Sequence, residues 1–226
     1  MKIVAEGYQT RHPELAVRFG FLESAEPFFL NALEKCAAGF DQIQVLPLFL
    51  FQGTHAQKDI PGMIQVVQKK YPGCLIQSAP ALGAHPALSK LLLKRLISAG
   101  YAQKPPQGPV LLVGHGTEES ESQNLLYEME KIFSQENQSA PVEACFIGLG
   151  DPFLSKKLEE WKDKFPASSW WVAPHLLFPG FFLEKIQKEI SEFQSQNPTL
   201  KIFTAPPLGA DEFLFQALDA RRSEII

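Results

Sequence analysis

Val45-Leu46-Pro47-Leu48-Phe49-Leu50-Phe51-Gln52-Gly53 is answered in the second half of the chain by Val172-Ala173-Pro174-His175-Leu176-Leu177-Phe178-Pro179-Gly180. Both are apolar runs of strand length with proline in third place and glycine at the end. The correspondence continues on either side in the same order. Phe21-Leu22 followed by Glu26-Pro27-Phe28 answers to Phe146-Ile147 followed by Asp151-Pro152-Phe153, and Ala79-Pro80-Ala81-Leu82-Gly83 answers to Ala205-Pro206-Pro207-Leu208-Gly209. In the first of these pairs an apolar strand ends in an acid and a helix-starting proline, a place where proline removes no helical hydrogen bond. Ordered self-similarity of this kind marks two copies of one unit.

Around these anchors, short apolar or β-branched runs alternate with helical patterns. Strands are predicted at Leu15 to Leu22, Ile43 to Phe51, Cys74 to Ala79, Val110 to Val113, Val142 to Leu149, Trp170 to Leu177 and Leu200 to Ala205. Helices are predicted at Pro27 to Cys36, Gly62 to Lys70, Ala87 to Ala99, Ser122 to Phe133, Phe153 to Lys164 and Glu184 to Phe193. The alternation predicts an α/β fold with largely parallel sheets flanked by helices. Gly100 to Pro109 is rich in proline and glycine and reads as a linker, which divides the chain into lobes at 1–103 and 104–226.

The second copy opens with Pro109-Val110-Leu111-Leu112-Val113-Gly114-His115-Gly116, a strand and a tight turn with no equivalent in the first. By the repeat's register about 17 residues, a strand, its turn and most of a helix, are expected ahead of Met1. A naturally shorter first copy is the other reading.

The chain has 226 residues, 45% of them hydrophobic, enough for a sizeable core. With 21 basic and 25 acidic side chains and a formal charge of -4, it carries no basic footprint for nucleic acid or an anionic membrane. Cys36, Cys74 and Cys145 are odd in number and widely spaced, unlike a zinc site or a disulfide framework. No apolar run approaches the roughly 18 residues that span a bilayer. The expected setting is the cytoplasm.

His55 follows the apolar run that ends at Phe51, and open α/β sheets place ligands beyond the carboxyl ends of their strands. Gly53 would allow an unusual turn there, and Thr54, Gln57 or Asp59 would cap the helix that follows. A neutral imidazole held so can bind a transition metal, or it can merely cap a turn or face solvent. His115 takes the corresponding place after the first strand of the second copy, with Gly114 and Gly116 opening the backbone to a bulky ligand. Glu26 and Asp151 end strands at the same face and could accept a proton or simply favour a helix start. His85 is expected to begin a helix, His175 to lie within a strand, and His12 to be structural. Glu118, Glu119 and Glu121 read as a solvated first turn. No Gly-x-Ser-x-Gly elbow is present, which disfavours acyl transfer. Gly148-Leu149-Gly150 lacks the third glycine of a dinucleotide loop, since Phe153 stands in its place.

Taken together, these features resemble the CbiX/SirB type of class II chelatase, the sirohydrochlorin chelatases. The resemblance rests on Gly20-Phe21-Leu22-Glu23-Ser24-Ala25-Glu26-Pro27, Pro47 to His55 with Asp59-Ile60-Pro61, Leu82-Gly83-Ala84-His85-Pro86, and Val113-Gly114-His115-Gly116. It implies two similar chelatase-like lobes around a cleft and insertion of cobalt or iron into sirohydrochlorin, as in cobalamin or siroheme biosynthesis. The divalent metal is then a substrate, and no organic cofactor is implied. His55 and His115 are the implied metal contacts, with Glu26 joining them in catalysis. Phe49, Phe51 and Phe181 would supply apolar walls, and Lys58 would meet the macrocycle's carboxylates. The family pattern carries a Gly-His-Gly turn in the first lobe, absent here, and the second lobe has Phe182 where His55 would repeat. A non-catalytic metal- or tetrapyrrole-binding protein is the alternative these departures raise. Whether two chains pair as a homodimer is left open.

Overall fold

The computed structural model describes residues 1–102, 108–117, 120–137, 140–166 and 169–225. It divides into two compact units, each α/β. The first is Met1–Gly83 together with the stretch from Ala210 onward, and the second is Ala84–Gly209.

The first unit contains α1 (Lys2–Arg11), α2 (Phe29–Ala37), β1 (Gln42–Val45), α3 (Ile60–Lys70), β2 (Leu75–Ser78) and, from the end of the chain, the helix at Glu212–Arg222. β1 and β2 pair in parallel from Gln42↔Leu75 to Val45↔Ser78. Ile60, Ile64, Val67 and Tyr71 recur at helical spacing along one side of α3 and its end, and meet Leu33 and Ala37 of α2 over Val45 and Ile76. Pro61 falls in the first turn of α3, where its missing N–H leaves no bond unmade.

Asp219 ties the two ends of the chain together within this unit. It accepts hydrogen bonds from the Tyr8 hydroxyl at 2.8 Å and from Arg11 Nε at 2.7 Å, and it lies 2.7 Å from His12 Nε2. Burial alone would raise its carboxyl, but the bonds from Tyr8, Arg11 and His12 hold it below the ordinary aspartate range. Its contribution is therefore present above the unfolded carboxyl's range and is lost as pH falls through the depressed folded value. Asp219→Ala should destabilise the unit by about 2 kcal/mol, since three donors lose a charged acceptor that is partly open to solvent. Hydrogen exchange of peptides from α1 should quicken, and unchanged protection there would refute the link.

The second unit contains α4 (Pro86–Ser98), β3 (Val110–Gly114), α5 (Ser120–Glu136), β4 (Val142–Phe146), α6 (Leu154–Lys164), β5 (Ser169–His175), α7 (Phe181–Gln196) and β6 (Lys201–Thr204). The helix at Glu212–Arg222, in the first unit, is α8. The sheet has the order β4-β3-β5-β6 and is parallel throughout. β3 is buried from end to end, as a central parallel strand covered on both faces must be. Leu111 and Val113 join Leu154, Leu158 and Trp161 of α6 and Ile186, Ile190 and Phe193 of α7. α4 and α5 pack on one another and against β5 and β4 respectively.

Three expectations change. Leu15 to Leu22 is not a strand; only an isolated bridge, Phe21↔Phe28, forms there, matched by Phe146↔Phe153 in the second unit. In the second unit β3 pairs with both β4 and β5, and among the described residues of the first unit no strand stands in that middle place. The run from Ile43 to Phe51 contributes only the short β1, because the backbone beyond Val45 bonds at wider intervals, Leu82 N–H to Phe49 O and Gly83 N–H to Leu50 O, each 2.9 Å. Finally, the units do not part at 103/104. Gln103–Gln107 of the expected linker lie outside the described residues, but Tyr101 on one side is buried within the second unit, where it donates to Asn137 at 3.0 Å. Glu118 and Glu119 also lie outside the described residues.

Candidate functional site

Past β1 the chain runs through Pro47, which is buried, to a wide helical turn at His55–Asp59 that leads directly into α3. The Ile60 N–H closes this turn onto the His55 carbonyl. His55 and Asp59, four residues apart, therefore share one face. His55 Nδ1 lies 2.6 Å from Asp59 Oδ2, and the ring stacks on Phe49 with centroids 6.3 Å apart and planes 23° apart. The His55 side chain is 53% exposed, and its Nε2 has no hydrogen-bond partner among the described residues.

The turn is not held as its sequence suggests. Neither Thr54 nor Asp59 makes a side-chain capping bond; the aspartate turns to the histidine instead. Gly53 has ordinary φ, and a Cβ there would meet nothing within 4 Å. Asp59 thus joins the site although its sequence context reads as a helix cap. The four-residue spacing from His55 is the signal that could have found it.

Glu26 belongs to the same unit, in the turn before α2, with its carboxylate exposed and making no hydrogen bond among the described residues. No hydrogen bond or ion pair joins it to His55 among the described residues. Lys58 is exposed on the His55 turn, while Phe51 is half-buried.

His115 follows the end of β3 in the second unit, so neither unit by itself contains both histidines. Its ring packs on Phe182 with centroids 3.9 Å apart. Burial, helped by the charge of Lys185, lowers its pKa and favours the neutral ring. The glycines around it serve protein packing, not an open approach for ligand. Gly116 has φ +83, and a Cβ there would fall 1.5 Å from the Leu149 carbonyl oxygen. A Cβ on Gly148 would lie 2.5 Å from the His115 ring. The Gly148-Leu149-Gly150 loop is thereby drawn onto His115, whose carbonyl accepts from Gly148 N–H at 2.9 Å and Leu149 N–H at 3.1 Å. Phe181 is 71% exposed beside this face.

His85 begins α4 and accepts from Ala87 N–H at 3.1 Å; His175 is buried in β5; His12 faces Asp219. Among the described residues no cluster of three or more His, Cys, Asp or Glu side chains could enclose a metal ion. No helix there is long and apolar enough to cross a membrane.

The family model described as CbiX matches residues 1–99 and 109–225. A sirohydrochlorin ferrochelatase of Priestia megaterium is 28% identical over 176 residues, covering 77% of this chain and 65% of that protein. A sirohydrochlorin cobaltochelatase of the same organism is 23% identical over 207 residues, covering 90% of this chain and 67% of that protein. This chain thus spans about two-thirds of the length of these curated relatives. Among solved structures, SirB from Bacillus subtilis with Fe3+ superposes with a TM-score of 0.84 over 99% of this chain and 87% of that one, at 23% identity, which shows the shared fold.

Proposed function

The chain belongs to the CbiX family, and from that membership we propose that it inserts a divalent metal, cobalt or iron, into sirohydrochlorin, taking the metal as substrate and using no organic cofactor. The observation that carries the reading is the His55–Asp59 pair beyond the end of β1, which leaves one imidazole nitrogen open. Both named relatives support it, since one is a ferrochelatase and the other a cobaltochelatase acting on sirohydrochlorin. Their names give no support to a non-catalytic binding role.

Insertion needs a weakly held ion with coordination positions left free, and a base for the two pyrrole protons. A single exposed imidazole suits the first need, because a closed cage of ligands would retain its metal. Exposed Glu26, on the same unit, is our candidate for accepting a proton. Lys58, exposed on the His55 turn, would attract the macrocycle's carboxylates. His115 is the weaker candidate for metal, because its ring is packed against Phe182 and Gly148.

Replacing His55 with alanine should weaken cobalt(II) binding by about tenfold or more, one ligand of an open site being lost. Calorimetry tests the contact, and formation of metallo-sirohydrochlorin above the spontaneous rate tests turnover. Equal cobalt affinity in the two proteins would remove His55 from the site.

A further inference from the structure

Asp59 occupies the junction between the His55–Asp59 turn and α3, where an aspartate ordinarily closes a helix start by accepting a backbone N–H. Its carboxylate makes no such bond and lies instead 2.6 Å from His55 Nδ1. We propose that Asp59 is the positioning residue of His55: it keeps the proton of the neutral imidazole on Nδ1 and so leaves the Nε2 lone pair for the incoming metal ion. This rests on the reading of His55 as the metal contact.

A neutral imidazole has one donor and one acceptor nitrogen, and an ionised carboxylate can only accept. Their short contact therefore selects the Nδ1–H form. Metal-binding histidines commonly hand their second N–H to a carboxylate, which fixes both tautomer and ring direction. Phe49, stacked at 23°, limits the ring from a second side. A purely stabilising role is a poor explanation, because with side chains 53% and 42% exposed such a pair adds little to folding.

The repeat supplies an internal comparison. Continuing the register Gly53 to Gly180 sets His55 against Phe182 and Asp59 against Ile186. In the second unit Ile186 is a fully buried core residue. Where the histidine is replaced, the acid at the matching position is replaced as well, and that position returns to packing.

The test compares the full chain with Asp59→Ala, Asp59→Asn and His55→Ala. Two-bond proton–nitrogen correlation spectra at about pH 8, where histidine is ordinarily neutral, read the His55 tautomer without metal. The His55→Ala spectrum identifies the signal. The unaltered chain should show the Nδ1–H form. Asp59→Ala should shift the tautomer ratio about tenfold toward Nε2–H and weaken cobalt(II) binding by about 10- to 100-fold. Asp59→Asn, whose amide N–H can donate to Nδ1 as readily as its oxygen accepts, should lose the selection while keeping the shape, and should weaken cobalt(II) binding along with Asp59→Ala. A structural role alone would lower thermal stability without moving the tautomer. An unchanged tautomer ratio or unchanged cobalt affinity in Asp59→Ala, with His55→Ala still impaired, overturns the inference alone. Cobalt affinity unchanged in His55→Ala overturns the metal reading and the inference with it.

Discussion

Gly116→Ala is expected to lower the stability of the second unit by about 3–5 kcal/mol, an effect at the severe end for one substitution. A left-handed backbone costs an alanine about 1–2 kcal/mol, and φ at Gly116 is +83. The larger part comes from the neighbour. The added Cβ would fall 1.5 Å from the Leu149 oxygen and 2.6 Å from its carbonyl carbon, and backbone atoms cannot step aside as a flexible side chain can. Moving that loop also disturbs the two N–H donors bonded to the His115 carbonyl. All three tryptophans, Trp161, Trp170 and Trp171, lie in the second unit, so urea unfolding followed by their fluorescence reports on it alone. The matched control is Gly53→Ala in the first unit, where a Cβ meets open space and circular dichroism should record a change within about 0.5 kcal/mol. An unfolding midpoint for Gly116→Ala equal to that of the unaltered chain would contradict this account.

A second large effect should appear in acid. His175 is fully buried in β5, and burial pushes its pKa from 6.5 down to about 3. The folded state thus favours the neutral ring, while the unfolded chain takes up a proton as pH drops below its ordinary value. The unfolded state binds more protons across the window from 6.5 down to about 3, so stability is full above that window and falls within it. By pH 4.5 the loss from this residue alone should reach about 2–3 kcal/mol. His175→Leu, which installs the residue found at Leu48 in the first copy, should flatten that part of the pH dependence whatever its stability at neutral pH. The readout is the difference in urea midpoint between pH 7.5 and 4.5, again by tryptophan fluorescence. Identical pH slopes for the two proteins would show that His175 does not carry the effect.

Much of this could be read from the chain alone, for identifiable reasons. β3, β4, β5 and β6 formed on the expected runs, with β3 and β5 reaching one residue outside them; the two central strands, β3 and β5, were plain because a covered parallel strand writes itself as an unbroken apolar segment. His55 was raised as a candidate by its position after the apolar run that ends at Phe51. Leu15 to Leu22 misled because strand composition does not form a strand without a partner to pair with. The stretch after Val45 misled for the same reason: its counterpart, Pro174-His175, stays in β5 by pairing with β3, and among the described residues of the first unit no such strand is present. Asp59 was hidden by an equally good local explanation, since an acid before Ile60-Pro61 reads as a cap. The glycines flanking His115 read as an opening for a bulky ligand, but Gly116 is packed on the Leu149 carbonyl and Gly114 on the Leu126 side chain, contacts that join segments the chain alone does not bring together.

α4 follows the first copy's Ala79-Pro80-Ala81-Leu82-Gly83 yet is built into the second unit, while α8 follows the second copy's Ala205-Pro206-Pro207-Leu208-Gly209 and is built into the first. The stretch that was duplicated is therefore not the stretch that folds. Inheritance ran along the chain in two sentences, but each sentence gave its last word to the other. One consequence is an asymmetry in modularity. The second unit is a single continuous passage, Ala84–Gly209. The first is interrupted by it, so no single scission of the polypeptide can release the first unit entire. Divergence of either final helix is answerable to the unit it joined, and not to the copy from which it descends.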